Sequence, residues 1–340
     1  MKALGSRAAI FYNVENLFDT VDHPNKRDED FTPKGSRAWD KQRYQLKLER
    51  IAEVLSLFHS CPAFVGLAEV ENRTVLEDLL RQPSIADIDY GIAHFESPDR
   101  RGIDCALCYD KAVFSLSTSR KLSVGAASAP HFVTRDILHV EGQVFGGIEI
   151  HFFVNHWSSR REGQKETEPR RIRAAKVLRQ AIDRVFLKNP SANIVVMGDF
   201  NDYPDNKSLS SVLAARSTAH IDAESSPSSE KEEHGMQPLV NLLYDEHLAD
   251  EGTAVHKREW GVLDQIIVSQ ALYRGESGLG LVEQDAEILR IEKLLHTYRD
   301  GGQKPNATFG GRKYHGGYSD HLPVYIGLTT LKQQKVEQTK

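Results

Sequence analysis

Long hydrophobic runs are missing from this chain of 340 residues, and no stretch approaches the roughly 20 apolar residues that a membrane-spanning helix needs. A leader peptide finds no room either. Met1 to Arg7 runs straight into the strand-like Ala8-Ala9-Ile10-Phe11-Tyr12, with no basic segment, long apolar core or small-residue cleavage site between. The expectation is a soluble cytoplasmic protein, although a secreted or periplasmic chain trimmed of its leader would read alike. Cysteine is scarce: Cys61, Cys105 and Cys108 cannot all pair with one another. Cys105 and Cys108 form a C-x-x-C, but no second pair or histidine cluster completes a zinc site, and Ile103 to Tyr109 reads as a buried strand, so structural thiols are expected. Basic excess is absent as well. With 43 Lys and Arg against 48 Asp and Glu, the net charge of −5 excludes a globally basic, duplex-gripping surface and leaves any nucleic-acid contact local.

What is present is ordinary for a globular protein: 40% apolar and 27% charged residues, enough chain for a large core, and no composition shift that would mark a second domain. One domain over residues 1–330 is expected, monomeric, followed by a polar, frayed tail over 331–340. Glu224 to Glu233, rich in Ser, Glu and Lys, reads as a surface excursion.

The stretch that orders the rest is Asn193-Ile194-Val195-Val196-Met197-Gly198-Asp199-Phe200-Asn201-Asp202: a β-branched apolar run that stops at a glycine and releases a carboxylate and an amide. Alone it reads equally well as a strand followed by an Asx turn. Yet five more strand-like runs end the same way. Ala8 to Tyr12 delivers Asn13, Glu15 and Asn16; Ala63 to Ala68 delivers Glu69 and Glu71; Gly147 to Val154 delivers Asn155 and His156; Val262-Leu263 and the run after it frame Asp264; and Asp320-His321 precede the last strand. Helices are expected where Leu48, Ile51, Leu55 and Phe58, and again Ile172, Ala175, Leu178, Ile182 and Val185, recur at helical spacing, with shorter ones over Thr74 to Arg81 and Leu209 to Ala215. Between them Tyr90 to Phe95, Asp104 to Tyr109, Ala112 to Leu116 and Phe132 to Val140 read as strands with short links, implying antiparallel pairing. Gly301 to Gly317 reads as a long loop.

Carboxylates with carboxamides suit a hard cation such as Mg²⁺, which takes oxygen ligands and keeps several waters. A His beside an Asp supplies a base or phosphate ligand and its orienter. In this order and at this spread, Tyr12-Asn13-Val14, Leu67-Ala68-Glu69, Asn155-His156, Gly198-Asp199-Phe200-Asn201, Leu263-Asp264 and Ser319-Asp320-His321 closely resemble the endonuclease/exonuclease/phosphatase superfamily, which includes deoxyribonuclease I and exonuclease III-like enzymes. The resemblance implies an α/β (α+β) four-layer sandwich, two mixed β-sheets face to face with helices outside. It implies metal ligation by Asn13 and Glu69 with Asp320 close by, and leaves Glu15 and Asn16 as competitors of Asn13, and Glu71 of Glu69. The ion is Mg²⁺, with Mn²⁺ or Ca²⁺ as alternatives. Asp199 would activate water, Asn201 hold it or a phosphate oxygen, and His321, fixed by Asp264, contact the phosphate. His156 would touch the phosphate or help protonate the leaving oxygen, while Asn155, Arg101 and Trp157 line the substrate.

Competing readings stand beside these. His156 fits a hydrogen-bonded strand-end histidine, Arg101 a solvated turn, and Trp157 and Trp260 the wall of a core. Arg160, Arg161, Lys165, Arg170, Arg171 and Arg173 could track a nucleic-acid backbone, although a charged helix start is the commoner origin of such a run. Asn306-Ala307-Thr308 fits a glycosylation acceptor by chance. The expected activity is Mg²⁺-dependent cleavage of nucleic-acid phosphodiesters; the alternative is a small phosphorylated or lipid substrate, as inositol phosphatases and sphingomyelinases use, and a silent binding module on the same fold is a third reading.

Overall fold

The computed structural model describes residues 7–58, 61–125, 133–224, 236–249 and 251–330. The chain opens with β1 (Ala8–Leu17), α1 (Lys41–Leu55), β2 (Phe64–Val70), α2 (Arg73–Leu80), β3 (Tyr90–His94) and β4 (Asp104–Asp110). A meander of β5 (Phe114–Leu122), β6 (Ile137–Val144) and β7 (Ile148–His156) leads into α3 (Gln164–Lys188) and β8 (Asn193–Asp199). Short β9 (Ala215–Arg216) and β10 (Leu239–Asn241) follow, then a ribbon of β11 (Ala254–His256) and β12 (Glu259–Gly261), and β13 (Asp264–Ser269). After β14 (Leu279–Leu281) and β15 (Glu287–Ile288) come two further ribbons, β16 (Leu295–Thr297) with β17 (Gln303–Pro305) and β18 (Phe309–Gly310) with β19 (Lys313–Tyr314), before β20 (Val324–Thr330) closes the fold.

The strands form two seven-stranded mixed sheets. One runs β14-β20-β1-β2-β4-β3 with β15 on β20; the other runs β5-β6-β7-β8-β13-β10-β9. Strand alternation explains the layering, because successive side chains point to opposite faces. Phe152 and Val154 of β7 face inward, and with Val195 and Met197 they meet Phe11, Phe64 and Leu107 of the first sheet. Phe64 and Phe152 stack with ring centroids 4.5 Å apart. The intervening Phe153 faces out instead, where with Ile194 and Val196 it meets Ala175, Leu178 and Ile182 of α3. On the other side, Ile10, Val65 and Leu67 bury Leu48, Ile51 and Leu55 of α1 and Val75, Leu76 and Leu79 of α2. The order is helix, sheet, sheet, helix, and each fully buried aliphatic or aromatic side chain contributes about 1.5–3 kcal/mol. Asp40 and Asn72 start α1 and α2 by accepting the Arg43 and Val75 amides.

Several elements differ from expectation. The helix expected over Leu209 to Ala215 is a single wide turn, Ser208–Val212. The strand expected from Phe132 begins at Ile137, and Phe132 lies outside the described residues, as do 225–235 and the tail 331–340. Within Gly301 to Gly317 the short ribbons replace a continuous loop. Cys105 and Cys108 are free and buried in β4, where their odd spacing sends them to opposite cores, so they cannot grip one ion together. Burial pushes both thiols up. No described helix is long and apolar enough to cross a membrane.

A buried polar chain crosses the meander. Arg120 Nε donates to His139 Nδ1 at 3.0 Å, so His139 must donate from Nε2 to His151 Nδ1 at 3.1 Å, and His151 Nε2 in turn to Glu149 at 3.1 Å. Only neutral imidazoles satisfy that order. Burial, and then the Arg120 charge, lowers the His139 pKa to about 3. Because the folded value lies below the unfolded one, the unfolded chain takes up the proton first as pH falls, and stability present above about pH 6.5 is lost below it. Urea denaturation at pH 6.5 and 5 is expected to differ by about 1.5 kcal/mol from this group, and His139→Gln is expected to flatten that dependence.

Candidate functional site

Strand register brings the strand ends together. His156 on β7 lies opposite Asp199 on β8, and Asp199 lies opposite Asp264 on β13, so three titratable residues form one row across the second sheet. One position before Asp199, Gly198 faces Asn155 so closely that a Cβ would stand 2.5 Å from the Asn155 carbonyl oxygen. Gly198→Ala is therefore expected to destabilise the protein by about 1–3 kcal/mol, read from denaturant midpoints, and to tilt Asp199.

The other half of the site comes from the first sheet. β1 and β2 pair in parallel until their register shifts between Asn13 and Leu17, and β2 slips against β4 between Ala68 and Val70. These bulges push Glu69, Glu15 and Asn16 into left-handed backbone at φ of +65°, +50° and +57°, and Asn201 shares that conformation at +51°. Such strain costs on the order of 1–3 kcal/mol per residue and persists where packing over-determines it, typically at a functional centre. Ser319 Oγ donates to the Asn13 carbonyl and accepts the His321 amide, fastening the approach to β20 onto β1.

At the seam, Asn13 Nδ2 donates to Asp199 Oδ2 at 3.0 Å, and the Asn201 amide donates to Asp199 Oδ1 at 2.9 Å. His321 Nδ1 binds Asp264 at 2.6 Å, leaving Nε2 turned towards Asp199 Oδ2 at 3.9 Å and Asp320 at 4.0 Å. His156 Nε2 lies 3.6 Å from Asp199 Oδ2 and 3.8 Å from Glu69 Oε1. Glu69 also receives Arg101 Nη2 at 3.3 Å and the Asn16 amide at 2.9 Å. Thus Asn13, Glu69, Arg101, His156, Asp199, Asn201, Asp264, Asp320 and His321 converge.

Four expected residues sit differently. Asn155 is wholly buried, its amide donating to the carbonyls of Phe153 and Met197 and its oxygen accepting the Trp157 indole N–H, so it faces the strands and not a phosphate. The Trp157 ring is likewise buried, packed edge-on against Phe200 with centroids 4.8 Å apart. Glu15 spends both carboxylate oxygens on the amides of Thr308 and Phe309, which makes it the anchor of the last ribbons. Glu71 lies beyond the cluster, accepting the Asp19 amide.

Two cations that sequence inspection passes over support the site. Lys47, only 2% exposed, projects from the apolar stripe of α1 to Thr308 Oγ1 and the Tyr318 carbonyl. Its signal was visible: a lysine four residues before Ile51 on a core-facing stripe. Arg135, buried without any such signature, ties the His156 and Trp157 carbonyls to Asp99. Much of the basic run is structural. Arg160 and Arg171 both bind Asp202, and Arg160 also takes the Asn201 carbonyl, so they brace the turn after β8. Asn306 is half-buried, its amide donating to the Lys293 carbonyl at 3.3 Å, and the Trp260 ring lies beneath Arg290 at 4.3 Å.

Electrostatics divide the titratable groups. Burial opposes the His321 charge, but the Asp264 and Asp199 carboxylates outweigh it and hold the pKa well above the usual histidine range. His156 goes the other way: burial, then the Arg135 and Arg101 charges, keeps it neutral. For Glu69, burial raises and the Arg101 guanidinium lowers, with a net depression that preserves the carboxylate. Asp199 is raised, chiefly by burial. Separation of pKa values within one pocket assigns distinct acid–base states to neighbouring groups.

An ionised carboxylate, carboxamides, a buried Asp and an imidazolium around one seam, on two face-packed mixed sheets, define a hydrolase of phosphoric esters. The chain belongs to the Endonuclease/Exonuclease/phosphatase family, whose model matches residues 8–330. No curated protein matches the sequence. Solved structures of like fold include TDP2 of D. rerio complexed with a single-strand DNA product, at 15% identity and TM-score 0.54, covering 95% of this chain and 99% of that one. A mannosyl-6-phosphatase of Bacteroides thetaiotaomicron aligns at 14% identity and TM-score 0.54, over 95% and 100% of the two chains. The human Nocturnin catalytic domain with bound sulfate aligns at 15% and 0.52, over 95% and 94%.

Proposed function

We propose that this family member is a Mg²⁺-dependent phosphodiesterase that cleaves nucleic acid by in-line attack of water. The observation that carries the reading is the His321–Asp264 pair aimed at Asp199 across the seam from Glu69. The donors fit a hard cation. Glu69 is ionised, Asn13 has a second lone pair on the carboxamide oxygen that accepts the Glu15 amide, and the Asp320 carboxyl is raised by desolvation and by Glu69, two like charges that a divalent ion would neutralise. When bound there, Mg²⁺, or Mn²⁺ or Ca²⁺ with the same preference for oxygen, would neutralise charge developing on the phosphoryl oxygens.

The protein groups do the rest. Asp199, held by Asn13 and the Asn201 amide, orients the attacking water and accepts its proton. His321, charged and fixed by Asp264, donates to a phosphoryl oxygen as negative charge grows on it. Neutral His156 holds Nε2 3.6 Å from Asp199 Oδ2, free to donate to a phosphoryl or leaving oxygen, and Arg101 stands next to Glu69 where a phosphate would enter. For the substrate, the support is local charge. Between Lys293 and His315 the chain carries Lys293, Arg299, Lys304, Arg312 and Lys313 against the single acid Asp300, and Glu15 and Lys47 dock this segment beside the site. A cavity there is lined by His296, Lys304, Asn306, Ala307 and His315. A polyanionic backbone suits such a wall.

The test incubates purified protein and Mg²⁺ with single-stranded DNA, plasmid, RNA, inositol phosphates and a lipid phosphodiester. Turnover of a polynucleotide is expected, abolished by chelator and restored by Mg²⁺. Full rate in chelator would exclude the mechanism, and hydrolysis confined to the small or lipid phosphates would overturn the nuclease reading.

A further inference from the structure

Two residues beyond Glu69, a second set of donor atoms converges without any basic side chain to balance it. Asp19 follows β1, His23 and Asp28 lie in the loop after it, and Glu71 follows β2. Each of two carboxylates has one oxygen tied down and the other bare. Glu71 Oε2 accepts the Asp19 amide at 2.6 Å, and Asp28 Oδ2 accepts the His23 amide at 3.1 Å. Yet no donor among the described residues reaches Glu71 Oε1, Asp28 Oδ1 or His23 Nε2, although Glu71 is 4% and Asp28 1% exposed, and the two carboxyls meet only each other. Asp19 is oriented too, by the Val21 amide on Oδ1 and Asn72 Nδ2 on Oδ2.

Buried polar atoms without partners are rare because the desolvation penalty goes uncompensated. Among the described residues, no Lys or Arg forms an ion pair with Asp19, Asp28 or Glu71; His23 alone does. The spacing is informative. His23 Nε2 stands 3.5 Å from Glu71 Oε1 and 3.7 Å from Asp19 Oδ2, long for direct hydrogen bonds. Ligands held about 2.1 Å from a tetrahedral ion lie roughly 3.4 Å from one another. Asp19, His23 and Glu71 offer donor atoms all within 4.8 Å of one another, and the Asp28 carboxyl contacts Glu71. For Glu71 and Asp28 the amides on the far oxygens are the outer partners that orient metal-binding carboxylates, while Asp19 would bind through the second lone pair of Oδ2, whose first accepts Asn72.

We propose that Asp19, His23, Asp28 and Glu71 form a structural site for a zinc-class divalent cation, separate from the one that Glu69 serves. Three carboxylates alone would suit Mg²⁺ or Ca²⁺; the imidazole and the four-donor count favour Zn²⁺. The ion would pin the loop of residues 19–28 to the end of β2. That loop is in turn bonded to the turn bearing Arg101, through the Arg27 amide and the Arg100 carbonyl at 2.8 Å.

The test reads metal content, so its outcome does not depend on what substrate is cleaved. Full-length protein stripped with chelator is loaded with Zn²⁺, desalted and analysed by elemental mass spectrometry, in the wild-type chain and in Glu69→Gln, His23→Gln and Glu71→Gln. Glu69→Gln is expected to retain one equivalent that His23→Gln and Glu71→Gln lose. Loaded with Co²⁺ instead, Glu69→Gln should show the intense visible absorption of a tetrahedral ion, and Glu69→Gln combined with His23→Gln should not. His23 is half exposed, so its replacement leaves the core untouched. Glu69→Gln without bound Zn²⁺, or equal Zn²⁺ in wild type, His23→Gln and Glu71→Gln, would overturn the site and leave a proton shared between Glu71 and Asp28 as the bridge.

Discussion

Replacing His321 by alanine is expected to lower kcat/KM about 1,000-fold, the scale set by removing one preorganised donor or acid–base group from a dry site. The imidazole is gripped at Nδ1 by a wholly buried carboxylate, and only Nε2 is left to face the reaction. Its pKa is raised despite burial, because Asp264 and Asp199 stabilise the charged form. The protonated state is therefore present at neutral pH and is lost as pH rises through that elevated value, which places an alkaline limb on the rate profile. Asp264→Asn should move that limb to lower pH while leaving His321 in place. Removing His321 also strips two buried carboxylates of their counter-charge, so His321→Gln, which keeps a donor and the bulk, separates loss of chemistry from loss of fold. A His321→Ala protein that melts like wild type and keeps a tenth of the activity would refute the assignment.

Asp199→Asn is expected to be as severe, about 10²–10⁴-fold in kcat, with the opposite effect on stability. The wild-type carboxylate is buried and its pKa is raised, chiefly by desolvation, so the charged form opposes folding. Asparagine keeps the size and removes that opposition. Its melting temperature should equal or exceed that of wild type while turnover nearly disappears. A variant that lost stability in proportion to activity would point to a packing role instead. Taken with Gly198→Ala, which leaves the carboxylate but displaces it, the pair distinguishes the identity of the group from its position.

The sandwich was legible because apolar runs of strand length, each ending in polar residues, recur at intervals separated by helical spacing. Glu69, Asp199, Asp264 and His321 follow directly from that pattern. Asn155 and Trp157 did not, since a strand end has two faces and the sequence does not say which one meets the pocket; the register with Gly198 turns Asn155 inward. Glu15 was legible as a candidate ligand only because the amides that occupy it, Thr308 and Phe309, lie nearly 300 residues away. Arg135 acts through backbone carbonyls of distant segments, a contact no local motif encodes, and for Lys47 the apolar stripe of α1 shows its burial but not its partners Thr308 and Tyr318. The short strands within residues 301–317 read as a loop in sequence because two- and three-residue strands rich in Gly and Lys carry no periodicity.

The pairing of β1 with β20 joins the first strand of the chain to the last. Asn13 and His321 belong to one pocket only once that pairing has closed. A growing polypeptide on the ribosome therefore cannot bring these two residues together until the strand after His321 has emerged, and a chain lacking residues 319–330 is expected to be inactive in the phosphodiester assay.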